Sequence, residues 1–422
     1  MDIMNIRIDN IGKVKKADIE IRGITIIAGP NDTGKSTISR ALFSVFNSFY
    51  HIEEEMKRER ESRLIRIFKV IFIESGVGIL TSKLRSLVRN IITVRNKKPS
   101  DGIEDISAVF DSVICSFSDA DKTNLRNSFK NYVRTIQDTL SITDEEFFVA
   151  AMNRNLNSVF NNQINNIFST KEGIITLIIK DIPMEITISK DKVVRVSNRV
   201  SLNTEAVYFD NPFVLNELGN PFIDTDYCPM QERQILGKLE RYKVESGLFN
   251  EIIVSKKLES VYANLDKVFT GQIVGNVREG WGKKLPKASK PLDVRNFSAG
   301  LKTFAIIKTL LINGTIEENG TLILDEPEIH LHPEWQLIFA KVIVELQKAF
   351  GLHILLNTHS PYFLHAIEVY AELAGIAGVC KYYQAYNEGN YSFIKDVTDN
   401  LEEIYKTLAG PLQVLENERY ED

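Results

Sequence analysis

Cysteine is scarce in this chain of 422 residues: Cys115, Cys228 and Cys380 stand far apart, which excludes a disulfide framework and a thiolate zinc cluster. Long apolar runs are missing too. The stretch 70–80 is interrupted by Glu74, and 364–380 by Glu368 and Glu372, so neither is long and uncharged enough to span a bilayer. The first residues lack the basic, apolar and small-residue succession of a secretory signal. Histidine is rare, limited to His51, His330, His332, His353, His359 and His365. A formal net charge of −5 gives no global attraction to nucleic acid. These absences predict a soluble protein of a reducing cytoplasm with no membrane partner. With 44% hydrophobic residues, the length suffices for two or three domains around a large core.

What is present centres on two strand ends. Residues 321–324 form a short apolar run that reads as a buried strand, and it delivers two adjacent carboxylates, Asp325 and Glu326. Alone, an acid pair there is a loop start or a helix cap. Upstream, the apolar run 24–28 leads into Gly29-Pro30-Asn31-Asp32-Thr33-Gly34-Lys35-Ser36-Thr37, which fits G-x-x-x-x-G-K-[ST] in a strand, loop and helix context. Gly29 and Gly34 let the backbone curl so that successive N–H groups face a phosphate, and the following helix adds its positive end. In that chemistry Lys35 reaches the β- and γ-phosphates of ATP and Ser36 and Asp325 hold Mg²⁺. Glu326 orients or deprotonates the attacking water.

Alternation over 5–9 and 17–21 predicts two half-buried strands leading into the loop. Residues 51–170 are polar, helical text. Lys57, Arg60, Arg63, Arg66 and Lys69 recur every three residues, and a second basic run holds Lys83, Arg85, Arg89, Arg95, Lys97 and Lys98. Solvated helix faces explain both; a nucleic-acid or partner surface is the alternative. From 173 to 210 the period switches to two, predicting strands over 175–179, 185–189, 193–197 and 206–210. A helical pattern returns over 230–268. The segment 271–291 carries Gly, Pro and the basic residues Arg278, Lys283, Lys284, Lys287 and Lys290, which predicts a mobile arm making weak, nonspecific nucleic-acid contact. The expected division is 1–50 for the first part of a head, 51–170 for a helical insertion, 171–215 for a meander and strand completing the head, 216–290 for a helical segment and the arm, and 291–422 for the rest of the head.

Two further stretches complete the pattern. Asn296-Phe297-Ser298-Ala299-Gly300-Leu301-Lys302 opens an amphipathic helix, where Ser298 can cap and Gly300 permits close approach. The strand 352–356 ends in Asn357-Thr358-His359-Ser360-Pro361, which brings His359 to the same sheet edge as Glu326. A zinc site from His330, His332 and His359 is disfavoured, because residues two apart share no helix face and no cysteine lies nearby.

The ordered set GPNDTGKST, FSAGLK, TLILDEPEIHLHP and NTHSP resembles the ATP-binding cassette type of P-loop ATPase, in the branch of chromosome-maintenance (SMC-like) heads and OLD-type ATPases. More narrowly it resembles the stand-alone PtuA-like and AriA-like ATPases of the Septu and PARIS anti-phage systems. The specific motifs cover 1–50 and 291–365. The resemblance implies an α/β head with a mixed sheet flanked by helices, an antiparallel β subdomain and a large, mainly helical insertion. It implies that Ser298, Gly300 and Lys302 act in trans as a signature on the nucleotide of a second subunit. Ala299 and Leu301 depart from the usual residues of that signature. It further implies that Glu326 is the catalytic carboxylate, that His359 is a switch histidine touching the γ-phosphate, and that His332 lies in a corner crossing between subunits. The implied assembly is a homodimer or higher homo-oligomer. Residues 361–422 do not match the TOPRIM nuclease domain of OLD-type enzymes, so the expected effector is a separately encoded nuclease or toxin. A DNA-repair or chromosome-maintenance head acting on DNA ends is the alternative; neither helical block sustains the heptads that long coiled-coil arms need.

Overall fold

Four short runs, Ile24–Ala28, Ala206–Phe209, Thr321–Asp325 and His353–Thr358, are buried at every position, as strands covered on both faces must be. In this computed structural model, which describes residues 3–97, 103–198, 200–220, 228–240, 256–276 and 280–420, they are four adjacent parallel strands at one end of a large mixed sheet. In chain order the strands are β1 (Met4–Ile11), β2 (Val14–Ile21), β3 (Ile24–Ala28), β4 (Gly173–Ile179), β5 (Ile182–Ser189), β6 (Lys192–Ser197), β7 (Ala206–Phe209), β8 (Ile273–Asn276), β9 (Gly280–Lys283), β10 (Leu292–Asp293), β11 (Thr321–Asp325), β12 (His353–Thr358), β13 (Cys380–Glu388) and β14 (Tyr391–Asp396). Eleven of the described strands pair in the order β6-β5-β4-β1-β2-β14-β13-β3-β12-β11-β7. The block β13-β3-β12-β11-β7 is parallel, the wing β6-β5-β4-β1-β2 is antiparallel, and β14 joins them.

The chain divides into two compact units, 1–50 with 151–422, and 51–150. The first holds the sheet and α1 (Lys35–Phe49), which follows the glycine-rich loop. The second is built from α2 (Ile52–Glu74), α3 (Thr81–Lys97), α4 (Ile103–Ile114) and α5 (Asp119–Ser141). Its interior is aromatic: Phe110 stacks on Phe129 with centroids 4.3 Å apart, and Phe68 lies 5.9 Å from Phe110. Part of the basic text is used within this unit. Arg60 donates to the Ile142 carbonyl at 2.9 Å, and Arg63 donates to the Thr139 hydroxyl at 3.0 Å.

Helix α6 (Asp144–Phe160) ends the helical run, and 161–172 return to β4 without helix, shorter than the insertion expected to reach 170. Then come α7 (Met230–Leu239), α8 (Glu259–Asp266), α9 (Ala299–Ile312), α10 (Pro333–Phe350), α11 (Pro361–Ala374) and α12 (Glu402–Tyr420). Strand alternation sorts the helices by face. Ile24, Ile26, Leu322, Leu324, Ile354 and Leu356 share one core with Phe304 of α9, Phe339 of α10 and Phe363 of α11. Tyr208 points the other way, its ring 5.5 Å from Phe43 of α1. Helices α1 and α9 therefore lie on opposite faces of the sheet.

The structure adds to the sequence reading in three places. The segment read as a mobile basic arm supplies β8 and β9 to a small antiparallel sheet, β10-β9-β8, and Lys283 rests its ammonium 4.7 Å from the Phe269 ring. Its strands are too short and glycine-rich to show a period. Lys284, Lys287 and Lys290 are exposed, whereas Arg278 lies outside the described residues, as do Lys98 and residues 241–255 of the helical text. Strands β13 and β14, unanticipated in polar, tyrosine-bearing text, wedge between β3 and β2. The last helix runs from Glu402 to Tyr420 with Pro411 inside it, since one proline removes a single backbone bond.

Replacing Phe110 by Ala should lower the stability of the helical unit by about 3–5 kcal/mol, the usual cost of deleting a buried ring. Urea unfolding followed by circular dichroism measures it.

Candidate functional site

The site forms where the parallel strands end, the edge at which open α/β sheets carry their ligands. Register aligns Asp325 of β11 with Asn357 of β12, and Asn357 with Ile27 of β3, so the loops that follow these strands converge.

The loop after β3 requires both its glycines. A Cβ at position 29 would sit 2.3 Å from the Ala385 carbonyl oxygen, and Gly34 has φ +80° with Val14 2.6 Å from where a Cβ would be. Thr33 donates its hydroxyl to the Pro30 carbonyl at 2.8 Å, and Lys13 clamps Asp32 through its carbonyl at 2.9 Å and its carboxylate at 2.6 Å. Pro30, Asn31 and Asp32 are exposed along the rim, while Ser36 and Thr37 are half-buried in the first turn of α1. No side chain caps that helix, so its first N–H groups face the loop, as a phosphate seat requires. Lys35, 4% exposed, folds back to donate to the carbonyls of Gly29 at 3.0 Å and Pro30 at 2.8 Å.

Opposite stands Glu326. Its Oε1 is 3.3 Å from Lys35 Nζ and also 3.3 Å from His359 Nδ1, the latter without hydrogen-bond alignment. The backbone there is left-handed, φ +49°, a costly conformation for glutamate, and is held by the Glu326 N–H donating to the Asn357 carbonyl at 3.0 Å. Asp325 is 9% exposed and accepts from the Tyr208 hydroxyl at 2.9 Å and Asn357 Nδ2 at 2.8 Å. Asn357 Nδ2 also donates to Ser39 Oγ at 2.9 Å. Burial, then the charge of Asp325, pushes the Tyr208 phenol well above its usual range, so it remains a donor. Burial pushes Asp210, just past β7, up to about 6 against the hydrogen bond from Gln231.

A further acid lies two residues on. Glu328 is 1% exposed; Oε1 accepts from the Thr358 hydroxyl at 2.5 Å, and Oε2 has no hydrogen-bond partner among the described residues. Desolvation pushes this carboxyl up to about 7. Glu328, Tyr208, Asn357 and Lys13 were all missed as site residues. Glu328 had a visible signal as the third acid of Asp-Glu-Pro-Glu, whereas Tyr208 and Lys13 reach the site only through sheet pairing.

The residues expected to act in trans are elsewhere. Ser298 is exposed and caps α9, accepting from the Leu301 N–H at 3.4 Å. Gly300 permits close packing, since a Cβ would lie 2.9 Å from the His330 carbonyl oxygen and 3.2 Å from the Trp335 ring. Lys302 turns inward. It is 2% exposed and donates inward to the carbonyls of Phe297 at 2.7 Å and Arg295 at 3.2 Å, so its ammonium is committed to its own loop. His332 is exposed and caps α10 by accepting from the Glu334 N–H at 3.4 Å, and His330 packs its ring 5.4 Å from Phe213.

The structure thus gathers Lys35, Asp325, Glu326 and His359 at one edge and leaves Ser298, Gly300 and His332 with the opposite-face helices. The first group fits a nucleotide polyphosphate: glycines that a Cβ would obstruct, an uncapped helix start, one buried ammonium, and oxygens of Ser36 and Asp325 of the hard kind that Mg²⁺ takes together with phosphate oxygens.

The profile of one protein family, described as "AAA domain, putative AbiEii toxin, Type IV TA system", matches residues 24–365. Among solved structures, low-scoring likenesses include an SMC head domain from Thermotoga maritima, at 11% identity, TM-score 0.34, covering 94% of this chain and 99% of that one. Another is an Smc head with an extended coiled coil bound to the C-terminal domain of ScpA, derived from Pyrococcus furiosus, at 10% identity, TM-score 0.35, covering 99% and 100%. A third is the ADP conformation of an ATP-binding cassette of an ABC transporter, at 12% identity, TM-score 0.35, covering 98% and 97%.

Glu328 generates a pH prediction. Its folded pKa, about 7, lies above the ordinary 4.5, so the folded state holds the extra proton; the resulting stability is complete below 4.5 and lost as pH rises through 7. Glu328→Gln carries no such term, so its melting temperature relative to the parent should climb across that window and level off above it. Scanning calorimetry at pH 5, 6, 7 and 8 checks this.

Proposed function

The chain belongs to the family described as "AAA domain, putative AbiEii toxin, Type IV TA system", and from that premise we propose that it is an ATP-binding and ATP-hydrolysing switch subunit of a bacterial anti-phage complex, controlling a separately encoded nuclease or toxin. The observation that carries the hydrolytic reading is the convergence of Lys35 Nζ and His359 Nδ1 on one Glu326 oxygen, each at 3.3 Å, beside a glycine-built loop. The link to defence rests on the motif resemblance and agrees with a family whose description names a toxin system.

In this reading the backbone of Gly29 to Thr37 cradles the phosphates and Lys35 exchanges the loop carbonyls for β- and γ-phosphate oxygens. Ser36 and Asp325 would hold Mg²⁺, whose charge offsets that of the phosphates. Tyr208 and Asn357 fix the Asp325 carboxylate, so the oxygen offered to the metal is set before it arrives. Glu326, released from Lys35, accepts the proton of the attacking water, and His359 donates toward the γ-phosphate. Because α9 lies across the sheet from the loop, Ser298 and Gly300 act on the nucleotide of a second copy, with the exposed His332 corner alongside. A symmetric dimer is then the smallest active unit.

Glu326→Gln should retain nucleotide and slow turnover by roughly 10²- to 10⁴-fold, the share of a positioned base. Phosphate release, with binding followed by a fluorescent ATP analogue, measures both; turnover at the parental rate removes Glu326 from its role. For the dimer, Lys35→Ala and Ser298→Arg proteins should each be inactive and regain part of the activity when mixed. Full turnover by a species that sediments as a monomer contradicts the shared site.

A further inference from the structure

The buried acid Glu328 has no part in the scheme above. It lies two residues past Glu326 in the loop leaving β11, and its partner Thr358, fully buried, is the last residue of β12. The Thr358 hydroxyl has one hydrogen, and it is given to Glu328 Oε1 at 2.5 Å. That leaves its lone pairs to accept the Ser360 N–H at 3.0 Å. His359 is the residue between those two anchors. Two more links bind the same loops together, Glu326 N–H to the Asn357 carbonyl at 3.0 Å and Asn357 Nδ2 to Asp325 at 2.8 Å. Glu328 is thus the outermost of three cross-links between the loop bearing Glu326 and the turn bearing His359.

Its chemistry is costly for mere packing. A buried carboxyl with one oxygen unpartnered loses the solvation of that oxygen, and an apolar side chain of similar volume would avoid the loss. We propose that Glu328 is a positioning residue: through Thr358 it holds the turn at His359 so that the imidazole stays beside the Glu326 carboxylate. The inference rests on reading this site as the place of ATP hydrolysis. A neutral carboxyl and an amide both offer an acceptor oxygen to a hydroxyl, so glutamine serves as the conservative replacement, and leucine keeps the volume without the acceptor.

The test joins a spectroscopic readout on the nucleotide-free full chain to turnover. With ¹³Cε1-labelled histidine, the His359 signal, assigned by its loss in His359→Gln, should coincide in the parent and Glu328→Gln. It should shift or broaden in both Glu328→Leu and Thr358→Val while the other histidine signals stay in place. In ATP hydrolysis, Glu328→Leu and Thr358→Val should lose about 10- to 100-fold in kcat with KM within about twofold, the cost of misplacing a reacting group by an ångström. Glu328→Gln should stay within about threefold of the parent, and the Glu328→Leu, Thr358→Val double variant should be no worse than either single one, since both cut the same link. Thr358→Val carries the test if the leucine variant does not fold. An unmoved His359 signal in a folded variant lacking the link, a glutamine variant as damaged as the leucine one, or multiplicative losses in the double variant would each overturn the proposal. A parent that turns over no ATP while His359 still responds to the loss of the link overturns the hydrolytic reading and upholds the positioning.

Discussion

One buried amide ties the site together. Asn357 is fully buried, and its Nδ2 donates both to Asp325 on the neighbouring strand and to Ser39 on the helix that follows the glycine-rich loop. Its backbone carbonyl accepts from the Glu326 N–H, holding that residue in a left-handed conformation which glutamate does not adopt unaided. Strand β12, strand β11 and helix α1 are thus fastened at one point. With no water able to replace lost partners, the hydrogen bonds act together and the geometry tolerates little drift.

Around that point the charges are arranged asymmetrically. One nearly buried ammonium, Lys35, faces a partly open carboxylate, Glu326, and donates to the carbonyls of the loop before it. Taking such a pair out of water is expensive, and its attraction offsets the cost only where the remaining hydrogens also find partners. Here the carbonyls of Gly29 and Pro30 supply them. A phosphate that replaced these carbonyls would face the same donors with full negative charge, which in the proposed scheme frees Glu326 to meet water.

The two faces of the sheet separate two tasks. Helix α1 and the loop before it share the face of Tyr208, whereas α9, α10 and α11 share the core on the other side. Parity along a strand enforces the division, because successive side chains point to opposite faces. Residues at the start of α9 therefore lie across the sheet from the glycine-rich loop of the same chain, which is why the proposed scheme needs a second copy. Beside Ser298 and Gly300, Lys302 donates to the carbonyls of Arg295 and Phe297.

The glycine-rich loop, the paired acids and the histidine after a strand were legible in the sequence, because each depends on residue types at fixed spacing next to an apolar run. The fully buried parallel strands were legible for a similar reason: full burial demands unbroken apolar text. The wedge of β13 and β14 was not, since polar and tyrosine-bearing strands become visible only when a sheet offers them an edge, and neither was the small sheet to which the basic segment contributes. Composition marked Lys283 as a cation like any other, and only packing set its ammonium against a ring. By itself the sequence determined which chemistry the chain carries, through local spacing. Tertiary structure alone decided which side chains hold that chemistry in place, because the hydrogen bonds among Tyr208, Asp325, Asn357, Ser39, Thr358 and Glu328 join residues that are distant along the chain and adjacent only once the strands align.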